Sequence, residues 1–139
     1  MGDRNSIREL IDAYAYCVDT RVAQEQMALF TEDTNFVIFM DAKASEPTQV
    51  ISKRAEFFPV FDNLNTYSAT MPFNGQNTVQ LNGDTSTGIT YYIAHHQTIE
   101  EGVQKLMIAY IRYEDNFVKQ NGNWRFAERK LLVDWIENR

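Results

Sequence analysis

From residue 67 onward the chain has few options other than a sheet. Long runs rich in Thr, Tyr, Ile, Val and Phe follow one another with few breakers, which is the signature of extended strands. Asn82-Gly83-Asp84 and Asn121-Gly122-Asn123 interrupt them as hairpin signals, because a tight turn needs positive φ and Asn and Gly tolerate it best. Glu100-Glu101-Gly102 makes a third reversal. Four long antiparallel strands are therefore expected, over residues 67–81, 86–99, 104–119 and 123–135.

The first half has a different period. Ser6-Ile7-Arg8-Glu9 has the form of a capping box, so a helix is expected to begin there. Ile7, Leu10, Ile11, Tyr14, Cys17 and Val18 then recur at spacings of three and four, and the helix should end near Thr20. A short amphipathic stretch over 24–30 leads through the polar turn 31–34 into a buried strand over 36–40. After a loop over 41–46, Pro47 suits the first turn of a third helix. Val50, Ile51, Ala55 and Phe58 recur helically in it, and it should end near Leu64. Helices followed by a run of strands give an α+β domain in which the helices cover one face of the sheet.

With 139 residues there is room for one core and not for two ordinary ones. Nine Phe, seven Tyr and two Trp supply that core with large rings. A formal charge of -6, with no local Lys/Arg cluster, repels phosphate backbones and anionic lipid, so no nucleic acid partner and no membrane is expected. The single Cys17 excludes an intrachain disulfide, the first residues lack the apolar stretch of a signal peptide, and no run reaches a membrane span. The expectation is a cytoplasmic protein.

Several side chains are placed for chemistry. Asp19 lies at the end of a helix, where the dipole disfavours a carboxylate unless function or capping of the next helix requires it. Tyr14 sits on the apolar stripe, as a core tyrosine whose hydroxyl can turn to a pocket. His95 and His96 are neighbours on a strand and face opposite ways, so they cannot chelate one metal together. No zinc motif surrounds them, and no metal site is expected. Tyr92, Ala94, His96 and Thr98 share a face. Asn74 shares the face of Pro72, and Tyr110, Arg112 and Glu114 share another. These residues are candidate polar anchors in an apolar pocket, against the plainer alternatives of a backbone tie for Asn74 and an ion pair for Arg112 with Glu114. Phe36, Phe57, Phe61, Phe73 and Trp124 are expected to be core or pocket wall.

The segments AYAYCVDT, ALFTEDTNF and NGNWRFAERKLLVDW, in this element order, resemble the SnoaL-like family of the nuclear-transport-factor-2-like superfamily, nearest the branch of scytalone dehydratase and bile-acid 7α-dehydratase. The resemblance implies a cone-shaped, highly curved antiparallel sheet around a pocket for a small apolar molecule. It also implies no cofactor, and a homodimer formed through the outer sheet face. Family members remove water from ring-bearing substrates, isomerise or cyclise them, eliminate chloride, or bind ligands without catalysis.

By the same resemblance Tyr14 and Asp19 match a tyrosine and an aspartate of the first helix, and His96 matches one of two pocket histidines. The other histidine falls on Pro72, and a carbonyl-polarising tyrosine falls on Ile38, so two catalytic parts are replaced by unreactive residues. The implied activity is a cofactor-free lyase or isomerase that moves a proton next to a carbonyl. His96 would transfer the proton, Asp19 would orient it or act as the base, and Tyr14 or Asn74 would polarise the oxygen. Tyr92, Tyr110, Arg112, Phe36 and Phe73 are the expected substrate contacts. The alternative is a noncatalytic small-molecule carrier.

Overall fold

The computed structural model describes residues 2–20, 22–62 and 69–139, and of these the side chains of all but 61, 62 and 69–72. Helices α1 (Gly2–Thr20) and α2 (Ala23–Met27) precede β1 (Phe30–Phe39) and β2 (Gln49–Ser52). A single 3-10 turn and α3 (Phe58–Asp62) follow, and then β3 (Ala69–Asn82), β4 (Thr85–Glu100), β5 (Val103–Gln120) and β6 (Asn123–Asn138). The six strands form one sheet in the order β2-β1-β6-β5-β4-β3.

The turn chemistry works as the sequence predicts. Gly83, Glu101, Gly102, Asn121 and Gly122 all take positive φ, and the hairpins close on Asn82 with Thr85, Glu100 with Val103, and Gln120 with Asn123. Bulges between Asn74 and Asn77, Tyr110 and Ile111, and Asn116 and Phe117 add local twist and bend to the long ribbon. Gly88 sits at a close approach: a Cβ there would meet the Thr78 carbonyl oxygen at 3.0 Å and the Phe117 ring at 3.1 Å, and one of the two would have to give.

The N-terminal half departs from the sequence reading in four places. α1 starts at Gly2, so Ser6 lies inside the helix instead of capping it. Its first turn is held from outside: Asp3 accepts hydrogen bonds from Trp124 Nε1 at 3.1 Å and Lys119 Nζ at 3.2 Å, and Arg4 donates to the Val79 carbonyl at 2.9 Å. Residues 31–34, expected as a turn, belong to β1. The expected helix from Pro47 is instead β2, a short hairpin partner in which Val50 and Ile51 pair with Val37 and Phe36. β-branched residues and the bonds Thr48 N to Ile38 O (2.8 Å) and Met40 N to Thr48 Oγ1 (3.0 Å) outweigh a coincidental helical spacing. Pro59 sits in the first turn of α3, where its missing N–H costs nothing. Finally, β1 joins β6 in parallel, the one parallel junction among the described residues. The expected helix end at Leu64 and the strand residues 67 and 68 lie outside the described residues.

The core is built of rings. Phe30, Phe57 and Phe126 are fully buried, Phe30 meets Phe57 edge-on at 4.9 Å, and Phe126 lies 5.0 Å from Phe30 and 5.4 Å from Phe117. Each such ring contributes about 1.5–3 kcal/mol by leaving water. α1 lies over the free edge of β3. Besides Arg4, Arg8 Nη1 donates to the Gly75 carbonyl at 3.2 Å and Asn74 Nδ2 to the Ile11 carbonyl at 3.2 Å. The two arginines cap carbonyls of an edge that would otherwise present them open, and Asn74 ties that edge to the helix.

Candidate functional site

Where the concave face of the sheet meets α1 and α2 there is a cavity of about 150 Å³. Phe36, Ile38, Ala94 and Ile111 give it apolar walls, and Tyr14, Gln26, Tyr92, His96 and Tyr113 bring the polar groups. Tyr14 and Val18 reach it because they are four residues apart on the buried stripe of α1. Tyr92, Ala94 and His96 reach it because alternate residues of β4 face one way. Tyr14 stands edge-on to Tyr113 at 5.7 Å, and Tyr113 edge-on to Tyr92 at 5.2 Å.

Behind the phenols lies a buried charge. Arg129 is fully buried, with its guanidinium carbon 3.5 Å from the Tyr113 ring centre, 4.2 Å from Tyr14 and 4.5 Å from Phe126. Its Nε is 3.0 Å from Asp115 Oδ1, and neither side chain touches solvent. Burial raises the Asp115 carboxyl to about 7, although the Arg129 charge pulls it down. Burial likewise pushes the Tyr14, Tyr92 and Tyr113 phenols up, and Arg129 opposes the rise at all three. The phenols are therefore neutral donors at physiological pH. His96 moves the other way: burial first, and the neighbouring His95 second, lower its pKa and favour neutral imidazole. A neutral base and several hydroxyl donors around an apolar space can take a proton from carbon and steady the charge that appears on oxygen.

The sequence candidates divide. Tyr14, Tyr92, His96 and Phe36 line the cavity. Asp19, one position beyond the buried stripe of α1, is exposed and is not among the described lining residues, although its charge is felt at the Tyr92 phenol. Arg112 and Tyr110 belong to the outer face, because Ile111 and Tyr113 set the inward phase of β5. Arg112 makes a bidentate pair with Asp134, not the expected pair with Glu114, and Tyr110 stacks on Trp135 at 4.1 Å. Phe73 is 62% exposed and so is no cavity wall. Asn74 donates to the Ile11 carbonyl and to Asp12 Oδ1, which makes it a tie between strand and helix. Pro72 pairs with Ala94 in the β3–β4 register. Its side chain and that of Phe61 lie outside the described residues. Among the described residues no three His, Cys, Asp or Glu side chains cluster, and no helix is long and apolar enough to cross a membrane.

Sequence reasoning missed Gln26, Tyr113 and the Asp115–Arg129 pair. Counting outward from the Asn121-Gly122 turn would pair residue 115 with 128. The bulge at Asn116 and Phe117 shifts the partner to Arg129, a step that periodicity does not reveal. Gln26 did leave a signal, as a polar residue three positions after Ala23 on the buried side of α2.

Similar structures were found for nearly the whole chain. A protein of Novosphingobium aromaticivorans provisionally named a scytalone dehydratase shares 21% identity at a TM-score of 0.84, covering 99% of this chain and 87% of that one. A hexachlorocyclohexane dehydrochlorinase shares 14% identity at 0.81, covering 99% and 88%. The provisionally assigned beta subunit of an aromatic-ring-hydroxylating dioxygenase, also from Novosphingobium aromaticivorans, shares 17% at 0.77, covering 94% and 88%. At these identities the likeness is one of fold. No curated protein matches the chain. The family model described as the SnoaL-like domain matches residues 1–130, and the chain therefore belongs to the SnoaL-like domain family.

Proposed function

We propose that this protein is a cofactor-free lyase or isomerase that moves a proton next to the carbonyl of a small apolar ring-bearing molecule held in the cavity. The observation that carries the reading is His96: burial keeps its imidazole neutral where it borders an apolar space furnished with phenols. In this scheme His96 takes the proton and Tyr14 donates to the oxygen that gains charge, while Asp19 acts from outside the cavity wall as a long-range orienting charge. Similar folds provisionally named or named as a dehydratase and a dehydrochlorinase support an elimination. The test is deuterium exchange at the α-carbons of cyclohexanone in heavy water, followed by NMR. Wild type should accelerate it, and His96→Ala should reduce that acceleration by about 10²–10⁴-fold. A folded His96→Ala protein with full exchange activity would sink the reading.

A second reading, a noncatalytic carrier, is favoured by Ile38 in the cavity wall and by the exposure of Asp19. Ligand recovered unchanged after long incubation would select it. In either case the protein is proposed to pair with a second copy through the outer sheet face, where Tyr91 and Trp135 stand exposed. Sedimentation as a monomer would contradict that.

A further inference from the structure

Gln26 has no part in the proton transfer proposed above, and its position is unusual. It is 1% exposed, it lines the cavity, and its Nε2 has no hydrogen-bond partner. Buried amides almost always find partners, because leaving a donor unmet in an apolar setting is unfavourable. The Gln26 side chain also acts on the Tyr14 phenol, easing its ionisation, so the two polar groups neighbour each other at the cavity. An acceptor oxygen placed between the two would therefore receive a donor from each. The space itself sets a size. A volume of about 150 Å³ suits an apolar cavity filled by one benzene-sized ring, whereas sites for larger ligands run to roughly 300–1,000 Å³.

We infer that Gln26 is a specificity residue that donates its Nε2–H to the oxygen of a monocyclic carbonyl compound or phenol, and that fused-ring molecules are excluded. This rests on the cavity being the ligand site, as proposed above, and not on any turnover there. The amide supplies what the apolar walls cannot, a preference for ring compounds that carry oxygen over those that do not. It also fixes which edge of the ring faces Tyr14, and so which carbon is presented to the rest of the cavity.

The experiment is titration of the intact protein with benzene, phenol, cyclohexanone and 2-naphthol, read by chemical-shift changes of the cavity amides. Phenol and cyclohexanone should bind about 3- to 10-fold more tightly than benzene, the usual margin of one hydrogen bond, and 2-naphthol should not enter. In Gln26→Leu and Gln26→Met that preference should fall by about 3-fold or more, with Tyr14 left as the remaining donor, while benzene binding persists, which also shows the variants are folded. Equal binding of benzene and phenol by wild type, a preference undiminished by both substitutions, entry of 2-naphthol, or no binding of any probe would each overturn the inference. Failure of deuterium exchange alongside the expected binding pattern would remove the proposed reaction and leave Gln26 in its role.

Discussion

Strands β5 and β6 carry two arginine–aspartate pairs on opposite faces of the same sheet, and the contrast between them is instructive. On the outer face Arg112 grips Asp134 with Nε at 3.0 Å from Oδ2 and Nη2 at 3.1 Å from Oδ1, both side chains about one-third exposed. On the inner face Arg129 meets Asp115 at the same 3.0 Å with no exposure at all, boxed by Tyr14, Tyr113 and Phe126. The outer pair has the better hydrogen-bond geometry and the smaller consequence, since water and salt screen it. The inner pair sets the electrostatics of the cavity, because every phenol there feels Arg129.

The largest expected effect is on the inner side. Arg129→Ala should lower stability by about 3–5 kcal/mol in urea denaturation, since it strips a buried carboxyl of its cation and opens space among three rings. A loss under 1 kcal/mol would erase the distinction between the faces. Comparable in scale is a pair of adjacent substitutions, His96→Ala and His95→Ala. The first should abolish most of any exchange activity and the second should leave it largely intact, because neighbours on a strand face opposite ways. The wild-type rate should reach its plateau already below about pH 6.5, the ordinary imidazole value, because burial depresses His96. An acid limb centred above that pH would contradict the burial argument.

Next in size is a pH effect of the inner carboxyl. Asp115 is raised to about 7 from an ordinary 3.8, so the folded chain holds its proton more tightly than the unfolded chain. That stabilising contribution is complete below about pH 4 and is lost as pH rises through 7. Wild type should therefore lose on the order of 1–3 kcal/mol relative to Asp115→Asn between pH 4 and 8, measured by paired denaturation curves. The smallest effect is Arg112→Ala, about 1 kcal/mol or less and further reduced by salt. A larger loss would show that the outer pair does more than join two strands.

The strands from β3 onward were legible because their information is local: an Asn-Gly or Glu-Gly turn fixes register, and alternation then assigns faces. What alternation cannot give is which face is inside. Alternation puts Tyr110 and Arg112 on one face, yet that face is the outer one, because Ile111 and Tyr113 fill the concave side. β2 was hidden for a related reason. Its four residues owe their conformation to pairing with β1, and Val50, Ile51 and Phe58 mimic a helical spacing by accident. His96 and Tyr14 could be read from the sequence, whereas Gln26 and Arg129 depend on contacts between distant segments.

The parallel seam between β1 and β6 carries a consequence for synthesis. Phe30 pairs with Phe126 and Phe36 with Arg129, so the strand holding β2 in the sheet has its other neighbour at the far end of the chain. A growing polypeptide can form the β3–β5 ribbon as it emerges, but β1 must wait with one edge unclaimed until β6 arrives. Closing so long a loop is slow, and during that wait the nascent chain exposes the Phe30–Phe39 strand edge to any neighbour able to add a strand of its own.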